Sequence, residues 1–167
     1  AVAKYWNTKR CPSLVVEALE CHGGPGYIEE SIMPRLYREA PLNSIWEGSG
    51  NVMGLDVLRA MTREPETIQA FLAELEKARG NDNHLDNAIT ELHQELSDPD
   101  GKEGRMRMIT ELMALTLQGA LLTTHSPSAV AESFCASRLA PRYRGAFGTL
   151  PKGCDLDAII SRALPDT

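Results

Sequence analysis

An all-α fold, an antiparallel helical bundle with additional C-terminal helices, is what this 167-residue sequence predicts. Three observations carry it. Apolar residues recur at spacings of three and four along most of the chain. Alternating β-branched runs, the mark of strands, do not reach useful length. Helix-stopping signals, including Gly23-Gly24, Gly80 and Asp98-Pro99, close the periodic stretches.

The elements follow in chain order. A first helix is expected to run to about His22 and stop at Gly23-Gly24, with Pro12 kinking or restarting it. GGPGY then reads as a helix stop and tight turn. A short helix is predicted over about 33–39, and another opening near Glu47 to Ser49 and running to about Met61. Pro65 suits the first turn of a helix ending at Gly80. Leu85, Ala88, Ile89, Leu92 and Leu96 make one apolar stripe, ended by Asp98-Pro99. A long helix over about 102–123 is apolar on more than one face, as for a central bundle member. Ser126-Pro127 should open a helix to about Leu139; APRYRGAFGTLPKG reads as a loop, and Asp155 caps a last helix through Leu164.

Hydrophobic content of 43% with 24% charged residues is ordinary for a globular protein. The net charge of −6 argues against whole-surface binding to nucleic acid, and it sits mainly in residues 61–125, where 12 acidic side chains face six basic ones. Arg138, Arg142 and Arg144 form the one basic cluster, which by itself reads as a solvated turn. Cys11, Cys21, Cys135 and Cys154 form no CxxC pair, so each reads as a buried small hydrophobe in a reduced, cytoplasmic setting. No apolar run reaches the roughly 18 residues of a membrane span. The opening AVAKYWNTKR lacks an initiator Met and is already helical in pattern, which predicts a fragment, a processed chain or the final piece of a larger protein.

Few residues offer chemistry. His22, His84, His93 and His125 have no metal-ligand spacing, so no metal site is expected. GGPGY is too short for a dinucleotide fingerprint. NSIWEGSGN is more informative, because it sets Glu47 between Ile45-Trp46 and the small residues Gly48, Ser49 and Gly50. An apolar setting disfavours an ionised carboxylate and so suits a general base. The glycines allow close approach of a planar or phosphate-bearing ligand, and amides at a helix start favour anions. A carboxylate that merely complements a helix dipole is the other reading of the same residue.

Taken together, VVEALECHGGPGYIEESIMPRLYREAPLNSIWEGSGNVMGLDVLR, residues 15–59, closely resembles the flavin-dependent acyl-CoA dehydrogenase superfamily, on its alkylation-response, AidB-like branch. The resemblance is strong over residues 1–62, as part of the family's C-terminal helical domain. It is looser over 63–167, where FCASRL and FGTLP stand out in a helical extension packed on that domain. It implies an FAD oxidoreductase in which Glu47 removes the α-proton of an acyl-CoA thioester. It further implies that Trp46, Gly48, Ser49, Gly50 and Asn51 lie along FAD, and that Gly23 and Gly24 approach the adenine end of a neighbouring subunit's FAD in a homo-oligomer. Glu20 and Met53 stand where many dehydrogenases carry glutamines that help hold the nucleotide, which predicts weakened affinity. The family's first helical domain and β-domain are absent from these residues, so the fragment alone is expected to be inactive. Two rival readings remain: a DNA-associated protective flavoprotein and a helical oligomerisation module.

Overall fold

The computed structural model describes residues 1–141 and 145–164 and is all-α, with no strand among the described residues. Its helices are α1 (Val2–Cys21), α2 (Gly24–Tyr27), α3 (Met33–Glu39), α4 (Gly50–Arg63), α5 (Pro65–Glu76), α6 (Asn83–Ser97), α7 (Lys102–His125), α8 (Ser128–Phe134) and α9 (Leu156–Ala163). The chain divides into two compact units. One comprises Ala1–Pro65 and Asp100–Ala114, the other Glu66–Pro99 and Leu115–Thr167.

In the first unit α1 packs against α3, α4 and the 3-10 turn Ala40–Ser44. The contact face of α4 is Gly50, Met53, Gly54 and Val57, a helical i, i+3, i+4, i+7 stripe. Gly54 lets α4 lie close to α7, since a Cβ there would stand 3.4 Å from the Met106 carbonyl. Pro12 sits inside a continuous α1, so it does not restart the helix. GGPGY is a helix stop and tight turn as expected: α1 ends at Cys21 and GPGY forms the single turn α2. The reason is Gly26, where a Cβ would be 2.3 Å from the Leu19 carbonyl oxygen, so only glycine lets this turn fold back on α1.

The second unit is built on the predicted stripe. Leu85, Ala88, Ile89 and Leu92 of α6 are buried, together with Leu75 and Ala78 and with Leu115, Thr116 and Ala120 of α7. Asp82 caps α6 by accepting from the amides of His84 at 2.7 Å and Leu85 at 3.0 Å. Regular helix in α5 ends at Glu76, earlier than Gly80, and a turn closes at Gly80 with φ +90°. Ser126 is not the cap of α8; that position is taken by Pro127, one residue later. The helix predicted to about Leu139 is α-helical only to Phe134, and Cys135–Leu139 is a wider π-helical turn. Asp155 caps α9 as expected, accepting from the Ala158 amide at 3.0 Å.

α7 is buried on all sides through Met113, Ala114, Leu115 and Thr116, four consecutive residues. Of the four cysteines only Cys135 is buried, and burial pushes its thiol up to about 12; Cys21 is exposed and Cys11 and Cys154 are half-buried. The small-hydrophobe reading thus holds for one thiol, because the others lie on helix faces and loops that this chain leaves open. No helix among the described residues is long and apolar enough to cross a membrane.

Candidate functional site

Glu47 lies in the turn that leads into α4, two residues before its cap Ser49. Its φ of +54° makes it the one non-glycine residue in the left-handed region among those described. For a residue with a Cβ that conformation costs roughly 1–2 kcal/mol, so the surroundings must hold it. They do so through α1. Lys4 Nζ donates to the Trp46 carbonyl at 2.5 Å and to the Gly48 carbonyl at 2.8 Å, the two carbonyls that bracket Glu47. Gly48, with φ +113°, has the Met53 methyl beneath it, 2.3 Å from where a Cβ would be. Met53, which stands where the resemblance puts a glutamine, is thus a packing residue under the turn.

The start of α4 is equally close to α1. A Cβ at Gly50 would fall 2.7 Å from Lys9 Cε and 3.6 Å from the Tyr5 ring. Asn51 Oδ1 accepts from Arg107 of α7 at 3.4 Å, and the same guanidinium donates to the buried Tyr5 hydroxyl at 3.5 Å. Lys4, Lys9 and Arg107 therefore flank a helix start whose first-turn amides have no intrahelical acceptors. Sequence reasoning missed these three cations. Lys4 and Lys9 carry no local signal beyond belonging to one helix, and Arg107 is 56 residues from Asn51.

One expectation needs correction. Ile45 and Trp46 do not enclose Glu47, for they are 65% and 53% exposed and Glu47 is itself exposed. Within one chain Glu47 and Gly23-Gly24 are not brought together. Lys4 holds the Glu47 turn at one end of α1 and Gly23 follows its other end, so the 20 residues of that helix separate them by about 30 Å.

The double glycine leaves its backbone uncovered within this chain. A Cβ at Gly24 would meet nothing within 4 Å, and its backbone is ordinary, so no contact inside this chain requires glycine there. Gly23 is open in the same way and has φ +61°. No cluster of three metal-ligating side chains occurs among the described residues.

An all-α chain with this helix order and this glycine-flanked carboxylate defines a class. The family described as acyl-CoA dehydrogenase, C-terminal domain, matches residues 1–62. Residues 1–62 are thus similar to the helical C-terminal domain of the acyl-CoA dehydrogenase family. It is similar to AidB of Escherichia coli, at 40% identity over 140 residues, 84% of this chain and 26% of that protein. It is also similar to acyl-CoA dehydrogenase family member 11 of Caenorhabditis elegans, at 38% identity over 88 residues, 53% of this chain and 14% of that protein. Its fold resembles the crystal structure of C. elegans ACDH-11 in complex with C11-CoA, with a TM-score of 0.68 and 28% identity over 85% of this chain and 29% of that one. The chain thus spans about a quarter or less of the relatives it matches.

Proposed function

We propose that these residues are the C-terminal part of an FAD-dependent, acyl-CoA dehydrogenase-like oxidoreductase, in which Glu47 is the base that takes the α-proton of an acyl-CoA thioester. One observation carries the reading: a carboxylate in a left-handed turn, clamped by Lys4 at both flanking carbonyls and set beside a cation-flanked helix start. Strain of this kind persists where a side chain must be aimed, and a solvated dipole partner has no need of it. The similarity to a protein crystallised with C11-CoA supports an acyl-CoA as substrate.

Each residue then has a task. Glu47 takes a proton at the α-carbon. Gly48 and Gly50 let a flat ligand approach the backbone, and Trp46 offers it a face. Ser49 and Asn51, with the free amides of the first turn of α4, supply hydrogen bonds, while Lys4, Lys9 and Arg107 favour a phosphate-bearing ligand. Gly23 and Gly24 give a second copy's cofactor an open backbone, which accounts for their distance from Glu47. FAD, when bound, supplies the hydride acceptor for the β-carbon.

The exposed Ile45 and Trp46 are faces for the remainder of the site, so the 167 residues alone are inactive. A homo-oligomer in the cytoplasm completes the reading. DNA association has less behind it: Arg138 lies 5.5 Å over the Phe147 ring, and Arg142 and Arg144 fall outside the described residues.

Replacing Glu47 by Gln in the full-length protein removes the base and keeps the shape. The expected outcome is an unchanged flavin content with reduction by a saturated acyl-CoA slowed by at least about 100-fold. Undiminished reduction sinks the assignment.

A further inference from the structure

We propose that Lys4 is a positioning residue that holds Glu47 in its left-handed turn and so aims the carboxylate; this rests on the reading of Glu47 as the base. The observation is a coincidence of three features. Lys4 Nζ donates to the carbonyls of Trp46 and Gly48, at 2.5 and 2.8 Å, and to no acceptor beyond that pair among the bonds it makes across the unit. Between those carbonyls the chain passes through Glu47, with φ +54°, and Gly48, with φ +113°. The donor stands 42 residues before Trp46, on a helix whose neighbouring Tyr5 is buried and lies beside Gly50.

The physics favours an ammonium here. Both carbonyl oxygens reach one ammonium because the chain turns through Glu47 and Gly48, at φ +54° and +113°. A cation with three donors satisfies both at once, with charge-assisted bonds stronger than neutral ones. Loss of the cation frees the turn to relax towards negative φ, which swings the Glu47 side chain to a new direction while its chemistry is intact. An error of about 1 Å in aim is worth on the order of 100-fold in rate. The effect belongs in kcat, because no substrate contact is lost. Lys4 bonds to backbone oxygens and not to the Glu47 carboxylate, which forms no salt bridge among the described residues and stays available as a base.

Two measurements test this. In the full-length protein, Lys4→Met should lower kcat for a medium-chain saturated acyl-CoA by about 10- to 100-fold, with KM and flavin content little changed, and Lys4→Arg should recover most of the loss. In the 167-residue chain Trp6 and Trp46 are the only tryptophans, so a Trp6→Phe background makes Trp46 the sole reporter. Adding Lys4→Met there should lower its fluorescence anisotropy, and Lys4→Arg should not. Unchanged kcat in Lys4→Met beside an inactive Glu47→Gln overturns the proposal and spares the base assignment. A rate-competent Glu47→Gln protein with the anisotropy still falling sinks the base assignment and keeps Lys4 as the holder of the turn. Loss of flavin, or of the folded state in both Lys4 variants, overturns the positioning role in favour of a structural one.

Discussion

Glycine carries different meanings at neighbouring positions of GGPGY. At Gly26 a Cβ would meet the Leu19 carbonyl oxygen at 2.3 Å and His22 Cβ at 2.9 Å, so the residue is required by packing. At Gly24 it would meet nothing. Gly26→Ala is therefore expected to destabilise the chain by about 1–3 kcal/mol, in the range for forced overpacking. Gly24→Ala should stay within about 0.5 kcal/mol of the parent in urea unfolding, as for an open surface site. If the open backbone at Gly24 serves FAD, the same substitution in the full-length protein weakens flavin retention without any loss of stability. Equal destabilisation by both variants would count against this division of roles. The two motifs were legible as residues in the sequence, because a glutamate beside Gly-Ser-Gly and a double glycine are unusual in helical chains. Which glycine the fold itself needs was not legible, since that depends on a carbonyl seven residues earlier in α1.

At the scale of elements, α5 and α6 are tied by a charged cluster. Arg79, in the turn between them, donates to both carboxylate oxygens of Glu76, at 2.6 and 2.9 Å, and His93 of α6 lies 3.0 Å from the same group. The Arg79 guanidinium, aided by His93, holds Glu76 down to about 2. A depressed carboxylate stabilises the fold above its ordinary range and loses that contribution as pH falls through the depressed value. The cluster is two-fifths exposed, so its worth is discounted to less than about 1 kcal/mol. Glu76→Gln is expected to lower the melting temperature near pH 7. The gap from the parent should narrow between pH 4.5 and about 2. A gap that widens towards low pH would contradict the cluster. Helix existence was readable here from the Leu85 to Leu96 stripe, whereas the end of α5 was misplaced because Gly80 closes a turn and not a helix.

For the molecule as a whole, the telling feature is what stays uncovered. Tyr27 is 77% exposed, Ile45 65%, Ile32 60% and Trp46 53%, and Ile28, Leu36, Tyr37 and Leu42 are exposed beside them in sequence. Isolated globular chains seldom leave so many large apolar side chains in water, and burial of such side chains is worth about 25 cal/mol per Å². The 167-residue chain is expected to self-associate in light scattering, with mass rising with concentration, and to bind FAD weakly or not at all in a fluorescence titration. A strict monomer that binds FAD tightly would show that these residues form a complete site by themselves.

Local sequence patterns were enough for the all-α class, the order and approximate span of the helices, and the place of Glu47 just ahead of a helix start. They were enough because helical periodicity, capping side chains and glycine stops act over a few residues. Tertiary packing is what brings Lys4 to the Glu47–Gly48 turn, Arg107 to Asn51 and Met53 beneath Gly48, and what sets GGPGY and Glu47 at opposite ends of α1. Those relations join residues up to 56 positions apart, or depend on which way a 20-residue helix runs between two loops. No local pattern encodes them; they follow from how α1, α4 and the first half of α7 bury their apolar faces together.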